Sequence, residues 1–132
     1  MPGAPPAQVL ICYESLYPGF TPGAAGRPDW IVNASNDAWF GSWGPPQHLA
    51  QARLRAIEEG IPILRSTPTG ISAVIDANGV VRSSLPYQKA GFIETRLPSP
   101  HPPTLFARWG NILAFAVAGL MILTAIAFRR RA

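Results

Sequence analysis

The sequence has little of the chemistry that most functional classes require. It holds one cysteine, Cys12, among 132 residues, so it can build neither an internal disulfide nor a cysteine-based zinc site. Its two histidines, His48 and His101, lie far apart with no ligand spacing around either. Neither a metal nor any other cofactor is expected. Basic residues number 11 and acidic residues 7, for a net charge of +4, and three of the positive charges are Arg129, Arg130 and Arg131. Without those three the chain is near neutral, which argues against the basic face that a nucleic-acid partner needs. There is one lysine, Lys89, and no internal repeat. The opening Met1-Pro2-Gly3-Ala4-Pro5-Pro6 has neither the basic n-region nor the apolar h-region of a signal peptide.

Charge is also absent from residues 112–128. A bilayer core of about 30 Å needs about 20 helical residues, with roughly 17 as the lower limit. Adding Trp109, Gly110 and Asn111 brings the run to full length. Trp109 suits an interfacial anchor, and three arginines close the other end. The run reads as a membrane span rather than a buried core helix. The positive-inside rule then sets the arginines in the cytoplasm and the preceding domain on the opposite side. With no signal peptide at its start, the chain reads as the C-terminal piece of a larger membrane protein.

Fifteen prolines and eleven of the twelve glycines cut the remainder into short elements. Strands are expected at 8–12, 30–35, 63–66, 71–75, 80–84 and 92–97, where β-branched and aromatic residues concentrate. Asn78-Gly79 marks a hairpin between two of them. Residues 15–28 read as a loop, with room for one helical turn. The best helix is 46–59, with Pro46 in its first turn and Gly60 and Pro62 as its stop. Leu49, Ala52, Ala56 and Ile57 share one face, and Arg53, Arg55, Glu58 and Glu59 mostly take the other, with Arg53 and Arg55 as helix-surface or buried ion-pair groups. Residues 98–103 form a stiff proline linker to the apolar run. Strands alternating with one good helix make an α/β or α+β domain.

Cys12 fits two readings from its own surroundings. It ends the apolar stretch Gln8-Val9-Leu10-Ile11, with Tyr13 and Glu14 directly after it. A free cysteine is often a small buried hydrophobe. A thiol at the end of a strand, with an acid two residues on, is also how a sheet can present a nucleophile.

Four blocks carry a resemblance. They are Ile11-Cys12-Tyr13-Glu14; Ser35-Asn36-Asp37-Ala38-Trp39-Phe40-Gly41; Gln47-His48-Leu49 with Ala52-Arg53 and Arg55-Ala56; and Arg65-Ser66-Thr67 with Thr69-Gly70-Ile71-Ser72-Ala73-Val74-Ile75-Asp76. Their order and spacing closely resemble the C-terminal half of the nitrilase-like domain of the bacterial apolipoprotein N-acyltransferase family, in the carbon-nitrogen hydrolase superfamily. Ala107-Arg108-Trp109-Gly110, the apolar run and the basic tail resemble that family's end. The resemblance implies a partial nitrilase-like α-β-β-α sandwich followed by one C-terminal transmembrane helix. Residues 1–100 would be the half-domain, 101–110 a linker, 111–128 the membrane helix and 129–132 a basic cytoplasmic tail. It implies residence in the bacterial inner membrane, with the soluble part periplasmic. The implied partners are a phospholipid acyl donor, an apolipoprotein acceptor, the membrane itself and the upstream half of the same enzyme.

The resemblance also assigns roles. Cys12 matches the nucleophile of a Glu–Lys–Cys triad, and Tyr13 and Glu14 match the two residues after it. Glu14 is a supporting carboxylate of the site, or alternatively the partner of Arg65 or another arginine. Asn36, Asp37, Trp39 and Phe40 form a candidate lid or acyl-pocket loop, with a core role for the two aromatics as the alternative. Thr69 and Gly70 form a turn beside the site, or a plain turn. His48 is expected to be structural rather than a general base. The family's triad Glu and Lys precede the cysteine, whereas only eleven residues precede Cys12, none of them charged, and Lys89 follows it. Pro46, Pro68 and the stretch 23–26 also depart from the family pattern. Two other readings remain: a membrane-tethered amidase or nitrilase-type hydrolase, and a non-catalytic membrane module.

Overall fold

The computed structural model describes residues 3–17 and 26–129. The arginines at 130 and 131, the middle of the expected 15–28 loop and most of the stretch 23–26 lie outside the described residues.

Five strands form one sheet in the order of the chain: β1 (Ala7–Ile11), β2 (Trp30–Ala34), β3 (Ile63–Ser66), β4 (Ser72–Ile75) and β5 (Val81–Leu85). The first three are parallel, and β4 and β5 continue antiparallel. Parallel neighbours need a crossover, and the helix α1 (Gly44–Glu59) supplies it between β2 and β3. Pro45 and Pro46 fit its first turn, where backbone N–H groups have no helical partner. Gly60 ends it in the left-handed conformation, φ 65°, with its N–H donating to the Ala56 carbonyl, and Pro62 bars continuation.

Strand alternation places the core. Register aligns Gln8, Ile31, Ile63 and Ile75 in one row and Leu10, Asn33, Arg65 and Ala73 in the next. Leu10, Ile31, Ile63, Ala73 and Ile75 pack with Ala52, Ala56 and Ile61 beneath α1. The opposite face is open. Val9 and Ile11 are exposed, and Trp30, Val32, Leu64, Leu85 and Phe92 border a groove of about 380 Å³ on it.

Two expectations fail. Residues 92–97 form no strand. Ile93 and Leu97 do alternate with Glu94 and Arg96, but the segment pairs with no strand among the described residues. Glu59, placed opposite the core residues of α1, is buried, and Arg55 takes the buried ion-pair alternative rather than the helix surface. Arg55 turns inward to donate to the carbonyls of Ser15 and Leu16 at 2.9 and 2.8 Å, and Glu58 and Glu59 lie beside its guanidinium. The Asn78-Gly79 hairpin is present, with Gly79 at φ 73°. The Asp76 carboxylate accepts from the N–H groups of Asn78 and Val80, both at 2.9 Å, and from Arg82.

The linker is tied down rather than free. His101 N–H donates to the Gly60 carbonyl at 2.8 Å, and Thr104 Oγ1 donates to the Glu58 carbonyl. Thr104 then caps the short helix α2 (Leu105–Trp109) by accepting from the Ala107 N–H. Helix α3 (Ile112–Arg129) follows, long and apolar enough to cross a membrane and nowhere buried. Asn111, just before it, borders a groove shared with Ser15 and Leu16.

Candidate active site

Parallel strands present ligands beyond their carboxyl ends, and the candidate residues gather there. β1 ends at Ile11 and the chain turns into a short 3-10 helix, Cys12–Leu16. Cys12 sits at the turn with φ 50°, a conformation that non-glycine residues seldom adopt, and its side chain is half-buried. Glu14 reaches back and accepts from the Ile11 N–H at 2.7 Å, closing the turn as a helix-capping carboxylate does. It makes no ion pair with Arg65; Arg65 pairs with Asp37 instead, at 2.6 Å.

Beneath the turn lies a buried polar chain. Asn33 Nδ2 donates to the carbonyls of Leu10 and Cys12, both at 3.2 Å. Asn33 Oδ1 accepts from Arg65 Nη1 at 2.6 Å and from Ser35 Oγ at 3.1 Å. Arg65 Nη2 donates to Asp37 Oδ2, and Asp37 Oδ1 lies 2.9 Å from His48 Nδ1. The His48 ring stacks on Tyr13, centroids 5.2 Å apart and planes 14° apart. Tyr13 meets Phe40 edge-on at 5.4 Å. The circuit thus leaves the backbone at Cys12 and returns at Tyr13. Paired and hydrogen-bonded, its buried charges avoid the penalty of isolated ones.

The remaining candidates are divided. Asn36 Oδ1 accepts from the Ala38 N–H and from Thr69 Oγ1, joining the two loops. Gly70 packs directly against the Asp37 carboxylate, and its N–H donates to Thr67 Oγ1. Trp39 is not a core aromatic: it is 84% exposed, as Trp43 nearby is at 81%. His48 is buried and bonded to Asp37, a structural setting. Asn33 and Arg65 are not nominated by the motifs as site residues. Their signal is alternation: each stands two residues after a buried isoleucine, so each is a polar group on the core face.

A family model for carbon-nitrogen hydrolases matches residues 2–125. An apolipoprotein N-acyltransferase from Bradyrhizobium diazoefficiens is 52% identical over 132 residues, covering 99% of this chain and 24% of that protein. Proteins of the same name from Rhodopseudomonas palustris and Caulobacter vibrioides are 43% and 47% identical, covering 98% and 83% of this chain. The chain therefore spans about a quarter of the length of the curated relatives it matches.

Proposed function

The chain belongs to the carbon-nitrogen hydrolase family, and on that premise we propose that it carries the nucleophile segment of an apolipoprotein N-acyltransferase, with Cys12 as the nucleophile. One observation carries the reading. The single cysteine stands in a left-handed turn at the carboxyl end of a parallel strand, in a chain whose relatives bear that enzyme's name.

In this reading the Cys12 thiolate attacks the ester carbonyl of a phospholipid. A thioester forms and the lysophospholipid leaves with the proton taken from the thiol. The amino group of the acceptor's N-terminal cysteine then attacks the thioester, an amide forms, and the thiol returns. Two moderate steps replace one difficult transfer. The Tyr13 N–H stabilises the oxyanion in both. A general base contributes typically ~10²–10⁴ in rate. The family places that base, with a lysine, before the cysteine, and none of the eleven residues before Cys12 is charged. Glu14 is not that base, because its carboxylate caps the turn.

Tyr13, Phe40 and Trp39 form the wall and rim where an acyl chain lies, with Asn36, Asp37, Thr69 and Gly70 supporting the rim from below. Helix α3 anchors the domain in the inner membrane, the domain outside and the arginine tail in the cytoplasm. The start of α3 beside Ser15 and Leu16 favours a site close to the lipid surface. Residues 1–100, 101–110, 111–128 and 129–132 serve as half-domain, tether, span and tail.

The test is acyl transfer from phospholipid to a lipid-modified apolipoprotein, run on this chain alone and with the preceding part of the Bradyrhizobium relative added. Activity is expected only in the second case and is lost in Cys12→Ala. Transfer by the chain alone overturns the need for an upstream base. Hydrolysis of simple amides without transfer would identify an amidase.

A further inference from the structure

We propose that Asn33 is a positioning residue for Cys12, an inference that rests on reading Cys12 as the nucleophile. Its side-chain amide holds the left-handed turn that brings the thiol off the helix-covered face of the sheet.

Side chains alternate along a strand. Leu10 is 1% exposed and Ile11 is 62% exposed. Were β1 to continue, Cys12 would follow Leu10 onto the face buried under α1. The turn at φ 50° breaks that alternation, and Cys12 is only partly buried instead. A non-glycine residue stays in this conformation only where its surroundings hold it. Asn33 Nδ2 bridges the two carbonyls that bracket the turn, Leu10 and Cys12.

The partners fix the amide's orientation. Its oxygen faces Arg65 Nη1, which can only donate, and the Ser35 hydroxyl, and its nitrogen faces two carbonyl acceptors; a flipped amide would keep only a bond to the Ser35 hydroxyl and lose the other three. Arg65 is itself held by Asp37, both side chains being fully buried. Register places Asn33 beside Leu10 on one side and Arg65 on the other, so the three strands fix the amide's height against the turn. The Cys12–Tyr13 peptide is planar and trans. Fixing its carbonyl toward Asn33 directs the Tyr13 N–H to the opposite side, where the reading above places the oxyanion.

The experiment uses the lone cysteine as its reporter. Asn33→Asp keeps an acceptor for Arg65 and Ser35 but removes the donor to the turn. Arg53→Ala, which loses a bond to the Gly79 carbonyl far from the turn, controls for loss of stability alone. In the detergent-solubilised chain labelled with ¹³C-cysteine, the variant's Cys12 Cα and Cβ shifts should leave the left-handed range. Its alkylation by iodoacetamide should slow about tenfold, the factor one hydrogen bond of ordinary strength carries. Arg53→Ala should change neither. Wild-type shifts and rate in folded Asn33→Asp overturn the proposal. If that variant does not fold, the wild-type chain decides. Left-handed Cys12 shifts with slowly exchanging Asn33 side-chain amide protons support the proposal; averaged shifts or rapid exchange overturn it. No acyl transfer is read, so failure of the lipid assay counts against the nucleophile reading and leaves this result standing.

Discussion

Gly70 lies so close to Asp37 that a Cβ there would sit 2.1 Å from Asp37 Oδ2 and 2.8 Å from Thr67 Oγ1. Asp37 cannot retreat, because Arg65 and His48 hold both its oxygens. Gly70→Ala should therefore destabilise the chain by about 1–3 kcal/mol, the usual range for overpacking, read as a lower urea midpoint. Asp37→Ala is expected to be worse. It leaves the Arg65 guanidinium buried without its carboxylate, a loss of about 3–5 kcal/mol, so the variant should fail to give the cooperative urea transition of the parent. The motif Ser-Asn-Asp-Ala-Trp-Phe-Gly marks Asp37 and its neighbours from sequence. Its partners stand in other blocks of the same pattern, and their pairing with Asp37 is not legible, because Arg65 comes from another strand and His48 from the helix.

At the scale of elements, two carboxylates give opposite pH dependences. Burial raises the Asp76 carboxyl, but the Val80 N–H, the Arg82 guanidinium and the Asn78 N–H outweigh it and hold it below its ordinary 3.8. The unfolded chain then binds the proton more readily, so this contribution is present above about 3.8 and is lost as pH falls through the lower folded value. Asp76→Asn should lower stability at neutral pH and flatten its acid decline, measured by denaturant melts across pH. Glu59 is the reverse case. Desolvation raises it above its ordinary 4.5, against the opposing pull of Arg55 and Arg27. The folded chain holds that proton more tightly, so stability declines as pH rises from about 4.5 through the raised value. Glu59→Gln should remove that decline in the same melts.

Elements were legible where one local signal sufficed. β3 lies where β-branched composition places it, and α1 ends at its glycine, although it begins two residues earlier than Pro46. The segment 92–97 has strand composition and alternation but no partner strand among the described residues. Helical period sets Arg55 and Glu59 opposite the core residues and does not tell a surface group from a buried ion pair. Arg55 is drawn in by the carbonyls of Ser15 and Leu16, 39 to 40 residues away, and Glu59 lies beside its guanidinium. Asn33 needed the alternation of its own strand together with the burial of its neighbours.

For the whole molecule, the open face of the sheet governs behaviour. Val9, Ile11, Val32 and Leu64 leave apolar surface uncovered, and the outer edge of β1 has no paired strand among the described residues. Such edges and faces recruit other chains. The solubilised chain is expected to self-associate, seen as a concentration-dependent mass by light scattering. Val9→Lys on the exposed edge should reduce that association without lowering the urea midpoint.

The attachment of α3 has a mechanical consequence. The chain leaves β5, returns to the end of α1 and is pinned there by His101 on Gly60 and Thr104 on Glu58. A pull on α3 therefore reaches the last turn of α1 before it reaches any strand. Under tension that joint is the fuse. Its two hydrogen bonds to α1, together with the one between the His101 ring and Asn78, would yield first and release about twenty residues of slack while the parallel strands that seat Cys12 stay closed, a tether length spanning roughly 3.3–3.6 Å per residue when drawn out.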